Sequence, residues 1–131
     1  MGLGIRLATP FAVKGGSGTI TDSAGGQNEK QIWGQPADWC DYSGIDTERK
    51  LRAGLLLVPY PENFRRSWMH ARDYGLVVAN PFGQSAFKQG PKSRVEVKPG
   101  EQFRLRFGVW SYAVDLDRPV DHAALAAEYA R

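Results

Sequence analysis

Leu3, Ile5 and Leu7 alternate with Gly4, Arg6 and Ala8, a period of two that predicts a half-buried strand at the head of the chain. Gly15-Gly16 and Gly25-Gly26 punctuate the chain around a second strand-like run, Gly18 to Thr21. Leu51 to Val58 predicts another strand. Its centre, Leu55-Leu56-Leu57-Val58, is apolar at both parities, so both of its faces should be covered. Pro59 and Pro61 end it, because neither has the N–H that a ladder needs. Tyr74 to Ala79 is a further apolar run, closed by Asn80-Pro81-Phe82-Gly83. Val95 and Val97 then alternate with Glu96 and Lys98 before a turn at Pro99-Gly100-Glu101. Phe103, Leu105, Phe107 and Val109 alternate with Arg104, Arg106 and Gly108 on the way back, which predicts a β-hairpin with one apolar face and one wet face. Only the tail reads as helix. Pro119 suits a first turn, Leu125 to Tyr129 lie in an Ala-rich stretch, and Asp117 or Asp121 would cap it.

Many short strands and one late helix predict a mostly β chain: an antiparallel β-sandwich with a short C-terminal helix, one domain over residues 1–131. A first strand beginning at residue 3 suggests that the chain starts inside a larger sheet. Its open edge would let it pair with a second copy across a two-fold axis, a homodimer.

Composition changes this picture little. The chain has 131 residues, 42% of them hydrophobic and 24% charged, too apolar for disorder and long enough to bury a core. The net charge of +3 comes from scattered residues. Arg65-Arg66 and Arg104/Arg106 are short pairs rather than a basic stripe, so no nucleic-acid partner is expected. The apolar run Ala53 to Pro59 is too short to span a bilayer, so no membrane partner is expected either. Cys40 is the single cysteine, which excludes an intramolecular disulfide and is expected to be a buried, inert thiol. No signal-peptide pattern opens the chain, so the cytoplasm is the default compartment, with secretion or the periplasm as the alternative if a leader was removed.

The candidate chemistry lies in two polar-aromatic segments, residues 28–42 and 68–83. The first carries Glu29, Asp38 and Asp41 beside Trp33, Trp39 and Tyr42, and is read as a short irregular strand. Along an extended chain Trp39 and Asp41 share one face, while Asp38, Cys40 and Tyr42 share the other. Carboxylates beside aromatic rings suit a sugar: the rings cover its C–H face and the carboxylates accept its hydroxyl hydrogens. An edge strand with solvated acids and aromatic cover for the core explains the same residues without any ligand. In the second segment His70, Arg72 and Tyr74 share one strand face, with Asp73 opposite. His70 can move a proton near neutral pH and Arg72 can clamp a carboxylate or orient a hydroxyl. The plain alternative is a satisfied histidine and an Arg–Asp pair holding a loop. The second histidine, His122, falls in the terminal helix and is expected at solvent. No phosphate-binding glycine loop, His-Glu-x-x-His, nucleophile elbow or cysteine pair occurs. Asp, Glu and one His could form a metal site, but no spacing singles one out, and the cofactor stays open.

Asn28-Glu29-Lys30, Trp33-Gly34, Ala37-Asp38-Trp39 through Asp41-Tyr42, Trp68, His70 through Leu76 and Ala79 through Gly83 resemble a bacterial family of unknown function. Its members often carry the label "methane oxygenase PmoA". The resemblance runs from about Gly2 to the terminal helix and implies that the chain is the C-terminal portion of a longer family domain. The label's copper monooxygenase chemistry is discarded, because the chain offers neither membrane helices nor a histidine cluster. What the resemblance implies instead is part of a galactose-mutarotase-like supersandwich, a fold in which a histidine and a carboxylate act as acid and base on a sugar ring. Carried over, His70 is the acid/base candidate and Glu29, Asp38 or Asp41 its counterpart. Trp33, Trp39, Tyr42, Arg72, Asp73, Tyr74 and Asn80 would line the substrate site. Two stretches depart from the family pattern, the charged Asp46 to Arg52 and the Pro59 to Asn63 turn, which lacks a histidine.

Two readings of function follow. The first is a protein acting on a sugar or sugar derivative through histidine–carboxylate acid–base chemistry. The second is a non-catalytic carbohydrate-binding or structural β-sandwich module. They divide on whether His70 faces one of the three carboxylates across an open cleft.

Overall fold

The computed structural model describes residues 2–131. Its strands form two antiparallel four-stranded sheets. The first sheet runs in the order β1 (Leu3–Arg6), β7 (Leu76–Asn80), β6 (Trp68–Arg72), β3 (Gln35–Pro36). The second runs β2 (Thr19–Asp22), β4 (Cys40–Asp46), β5 (Leu51–Pro59), β8 (Phe107–Asp115). The arrangement is that of a sandwich rather than a closed barrel, with β1 and β3 at the edges of one sheet and β2 and β8 at those of the other. Among the described residues two α-helices complete it, α1 (Asn28–Ile32) and α2 (His122–Ala130), with a short 3-10 turn at Thr9–Phe11.

Between the sheets Met69, Ala71, Val77 and Ala79 of the first meet Ile20, Cys40, Tyr42 and Leu57 of the second, with Ile32 of α1 and Ala37 beside them. Alternation then fixes everything on the outside. Because Met69 and Ala71 point inward, Trp68, His70 and Arg72 stand on the outer face of the first sheet. Because Cys40 and Tyr42 point inward, Asp41 and Ser43 stand on the outer face of the second.

The doubly apolar centre of β5 is covered on both faces. Leu57 enters the core between the sheets, while Leu56 and Val58 pack outward beneath α2 with Ala126, Leu125, Tyr129, Trp39 and Trp110. Each fully buried leucine contributes roughly 1.5–3 kcal/mol through burial. Asp121 caps α2 by accepting from the Ala124 N–H at 2.9 Å. At the other end of α2 the Tyr129 ring lies across Gly108, where a Cβ would come within 2.8 Å of the ring, so the helix docks only because that position has no side chain.

Two expectations change. Residues 28–42 are not one irregular strand but α1, the two-residue β3 and the start of β4. A helix of five residues is too short to carry a period of 3.6 that could be read in the sequence. Asn28 opens it at φ 60°, a conformation Asn tolerates, while its Oδ1 accepts from the Ile20 N–H at 2.9 Å. The predicted hairpin forms its turn, with Glu101 N–H donating to the Lys98 carbonyl at 3.0 Å, but not its ladder. The returning strand is claimed elsewhere. Phe107 onward pairs with β5. Ahead of it, Asn63 substitutes for a partner strand, donating to the Arg106 carbonyl at 2.8 Å and accepting its N–H at 2.9 Å. Phe103 packs on Phe64 and Phe82, with ring centroids 5.3 and 6.2 Å away.

One polar contact ties the two sheets through the core. The buried Tyr42 hydroxyl accepts from the Val13 N–H at 3.1 Å and faces the carbonyls of Asp73 and Arg72 at 3.0 and 3.2 Å. Replacing Tyr42 by Phe should strand those groups and cost about 1–3 kcal/mol, read as a lower midpoint in urea unfolding with an unchanged slope.

Candidate functional site

The outer face of the first sheet gathers part of the predicted set. His70 accepts a hydrogen bond at Nδ1 from Trp33 Nε1–H at 3.0 Å. That places the imidazole proton on Nε2, because a protonated Nδ1 would oppose the indole donor. Burial, and then the neighbouring Arg72 charge, push the His70 pKa below its ordinary value, with Glu29 pulling the other way. Phe87 stacks against the His70 ring, their centroids 6.2 Å apart, and Gly34 lets Phe87 come close.

The remaining groups of this face are engaged in structure. Arg72 Nε lies 2.9 Å from Glu29 Oε1, an ion-pair contact without hydrogen-bond alignment. Glu29 Oε2 accepts from the Asp73 N–H at 2.8 Å, and Asp73 Oδ1 accepts from the Glu29 N–H at 3.0 Å, which clamps α1 to the turn after β6. Tyr74 lies exposed with the guanidinium groups of Arg6 and Arg72 over its ring at 5.5 and 5.2 Å. Asn80 ends β7 and uses Oδ1 to accept from the Phe82 N–H at 3.0 Å.

Four residues expected beside His70 are elsewhere. Asp38 sits in the loop before β4, mostly exposed and paired with Arg66 Nε at 2.9 Å. Tyr42 is buried in the core and is not available to a ligand. Asp41 stands on the outer face of the second sheet, so the whole sandwich lies between it and His70. Trp39 goes with Asp41, packed against α2. The physical reason is alternation: a carboxylate flanked by two inward-facing residues on one sheet cannot meet an outward-facing histidine on the other.

Asp41 has partners of its own. The Tyr112 hydroxyl lies 2.9 Å from each carboxylate oxygen, and His122 Nε2 lies 3.4 Å from Oδ1 and 3.4 Å from the Tyr112 oxygen. Burial pushes the Asp41 pKa up. His122, the hydrogen bonds from Tyr112 and Ser43, and Arg52 oppose that shift. Burial, followed by the Asp41 charge, also raises the Tyr112 phenol strongly, so it stays protonated and donates. Tyr112 reaches Asp41 by crossing Gly54, where a Cβ would lie 2.5 Å from its oxygen. Above this group opens a cleft of about 520 Å³ lined by Thr19, Thr21, Asp41, Ser43, Arg52, Arg118 and His122 among others. Thr21 Oγ1 is buried there without a hydrogen-bond partner.

His122 was expected at solvent and is instead half-buried, its ring centroid 5.4 Å from that of Trp39. The pattern of α2 could not reveal this, since the side chain is held by strands far away in sequence. One signal was legible: Gly54 interrupts a strong strand, and a glycine there marks close approach by another group. Among the described residues no three His, Cys, Asp or Glu side chains gather to hold a metal ion, and no helix is long and apolar enough to cross a membrane. Cys40 is buried, and burial followed by the charges of Asp22 and Asp41 raises its thiol well above the ordinary value.

Over residues 1–127 the chain matches DUF6807, a family of unknown function, and it belongs to that family. No curated protein and no solved structure matches it. The family match overturns the resemblance to the PmoA-labelled family, and with it goes the warrant for carrying acid and base roles to His70 and its three carboxylates. What remains is the chemistry of the residues themselves.

Two titrations check the electrostatics. Trp33→Phe removes the donor that favours neutral His70, so the His70 midpoint, followed by proton NMR, should rise toward the ordinary 6.5. A carboxylate raised in the fold contributes stability that is fully present below its unfolded pKa and is lost as pH rises through the folded one. Asp41→Asn removes that loss, so its thermal midpoint relative to wild type should be more favourable at pH 7 than at pH 4.

Proposed function

We propose that this chain binds a sugar or sugar derivative in the cleft over the outer face of its second sheet and moves a proton on it with His122 and Asp41. The observation that carries this reading is a buried carboxylate held by a phenol and placed 3.4 Å from an imidazole at an open cleft. An imidazole exchanges protons near neutral pH, and a raised carboxylate beside it stabilises the protonated ring or shares its proton. Thr19, Thr21 and Ser43 offer hydroxyls that both donate and accept, as a polyhydroxylated ligand requires, and Arg52 offers a fork for a hydroxyl or carboxylate. The 3.4 Å spacing is long for a hydrogen bond and would shorten around a bound ligand.

A second reading, binding without chemistry, is favoured by the outer face of the first sheet. Trp33 and Tyr74 expose 41% and 43% of their surface there, flanking His70 and Arg72, and aromatic rings so presented can cover a sugar face.

A panel of monosaccharides, uronates and sugar alcohols separates the two when binding is followed by calorimetry and conversion by proton NMR. The first reading expects conversion of at least one member, with His122→Ala lowering turnover by about 10²–10⁴ and leaving KM nearly unchanged. Binding that is lost in Trp33→Ala, with no conversion by wild type, supports the second. No interaction with any member of the panel sinks both.

A further inference from the structure

A separate cavity of about 510 Å³ opens between α2, the end of β5 and the segment that leads into β6. Toward it α2 presents only the methyl groups of Ala123, Ala126, Ala127 and Ala130, so space remains where larger side chains would close it. Trp39 and Val58 supply apolar wall on the opposite side. Such a stripe of alanines would mean little alone, but two polar features accompany it.

Ser67 lines the cavity, is fully buried, and its Oγ has no hydrogen-bond partner. A hydroxyl removed from water and left unpaired is disfavoured and calls for a partner from outside the protein. The charges of the lining are also unbalanced: Arg65 and Arg66 face a single carboxylate, Asp38. Arg65 is already committed through Nη1 to Ser93 Oγ at 2.7 Å and to the Pro81 carbonyl at 3.4 Å. Arg66 gives Asp38 only its Nε, at 2.9 Å, which leaves both terminal nitrogens for another anion.

We infer that this cavity binds a small amphipathic anion, a medium-chain or compact aromatic carboxylate. Its apolar body lies against the alanine face of α2, Val58 and Trp39. Its carboxylate accepts from the Ser67 hydroxyl and pairs with the terminal nitrogens of Arg66. The ligand chemistry differs from that proposed for the cleft at Asp41, so the two sites stand or fall separately. They do share α2, whose first residue, His122, enters the other cleft beside Trp39.

Titration of the full chain with octanoate, followed by calorimetry, tests this, with octan-1-ol as the neutral analogue. Saturable one-to-one octanoate binding is expected, at least tenfold tighter than octan-1-ol. Ala127→Phe fills the cavity from an exposed helical position and should weaken octanoate binding at least tenfold without lowering the thermal midpoint. Ser67→Ala and Arg66→Gln should each weaken it severalfold. The inference is overturned by the absence of saturable binding, by equal affinity for octan-1-ol, or by unchanged binding in a folded Ala127→Phe variant.

Discussion

Along β4 the side chains of Cys40, Asp41 and Tyr42 alternate between the two faces of the second sheet. Cys40 and Tyr42 must face the other sheet, because the core between the sheets is built around them. The Tyr42 hydroxyl then crosses that core to the turn after β6 and fixes how the sheets lie on one another. Asp41, between them, has no choice but the opposite surface. One strand thereby both locks the sandwich and delivers a buried carboxylate to its outside.

What Asp41 meets there is set by small residues. Gly54 lets Tyr112 lie across β5, and Gly108 lets Tyr129 seat the far end of α2. With Tyr129 and Ala126 docked, His122 at the near end is brought against Asp41 and Trp39. The helix therefore does two things at once. It covers Leu56 and Val58, the outward half of the apolar run in β5, and it completes a polar group that no strand contains by itself. Such coupling of cover and chemistry makes α2 the element to watch in this member of DUF6807.

The outer face of the first sheet has a different character. Its carboxylates, Glu29 and Asp73, are engaged in clamping α1 to the turn after β6, and Arg72 is drawn to Glu29. Its histidine is held neutral by an indole donor and by burial. That face sets exposed aromatic rings beside charges that are paired with one another. Asp41 on the second sheet is buried instead, and burial raises its pKa.

The strand-rich class, the terminal helix, the double cover of β5 and the side of β4 that each residue takes were legible in the chain, because they follow from periods of two and from local propensity. It also marked Glu29, Trp33, His70 and Arg72 as chemically unusual, and these do meet. It could not tell that Asp38, Asp41 and Trp39 part from them, since two segments rich in the same residue types look alike whichever faces of the sandwich they reach. The short α1 and the unpaired arm before β8 were likewise illegible, the one being too brief for a period and the other losing its ladder to pairing with β5 and to Asn63. The convergence of His122, Tyr112 and Asp41 emerges only on folding, because it depends on how strand order and helix docking bring together residues 71 positions apart in the chain.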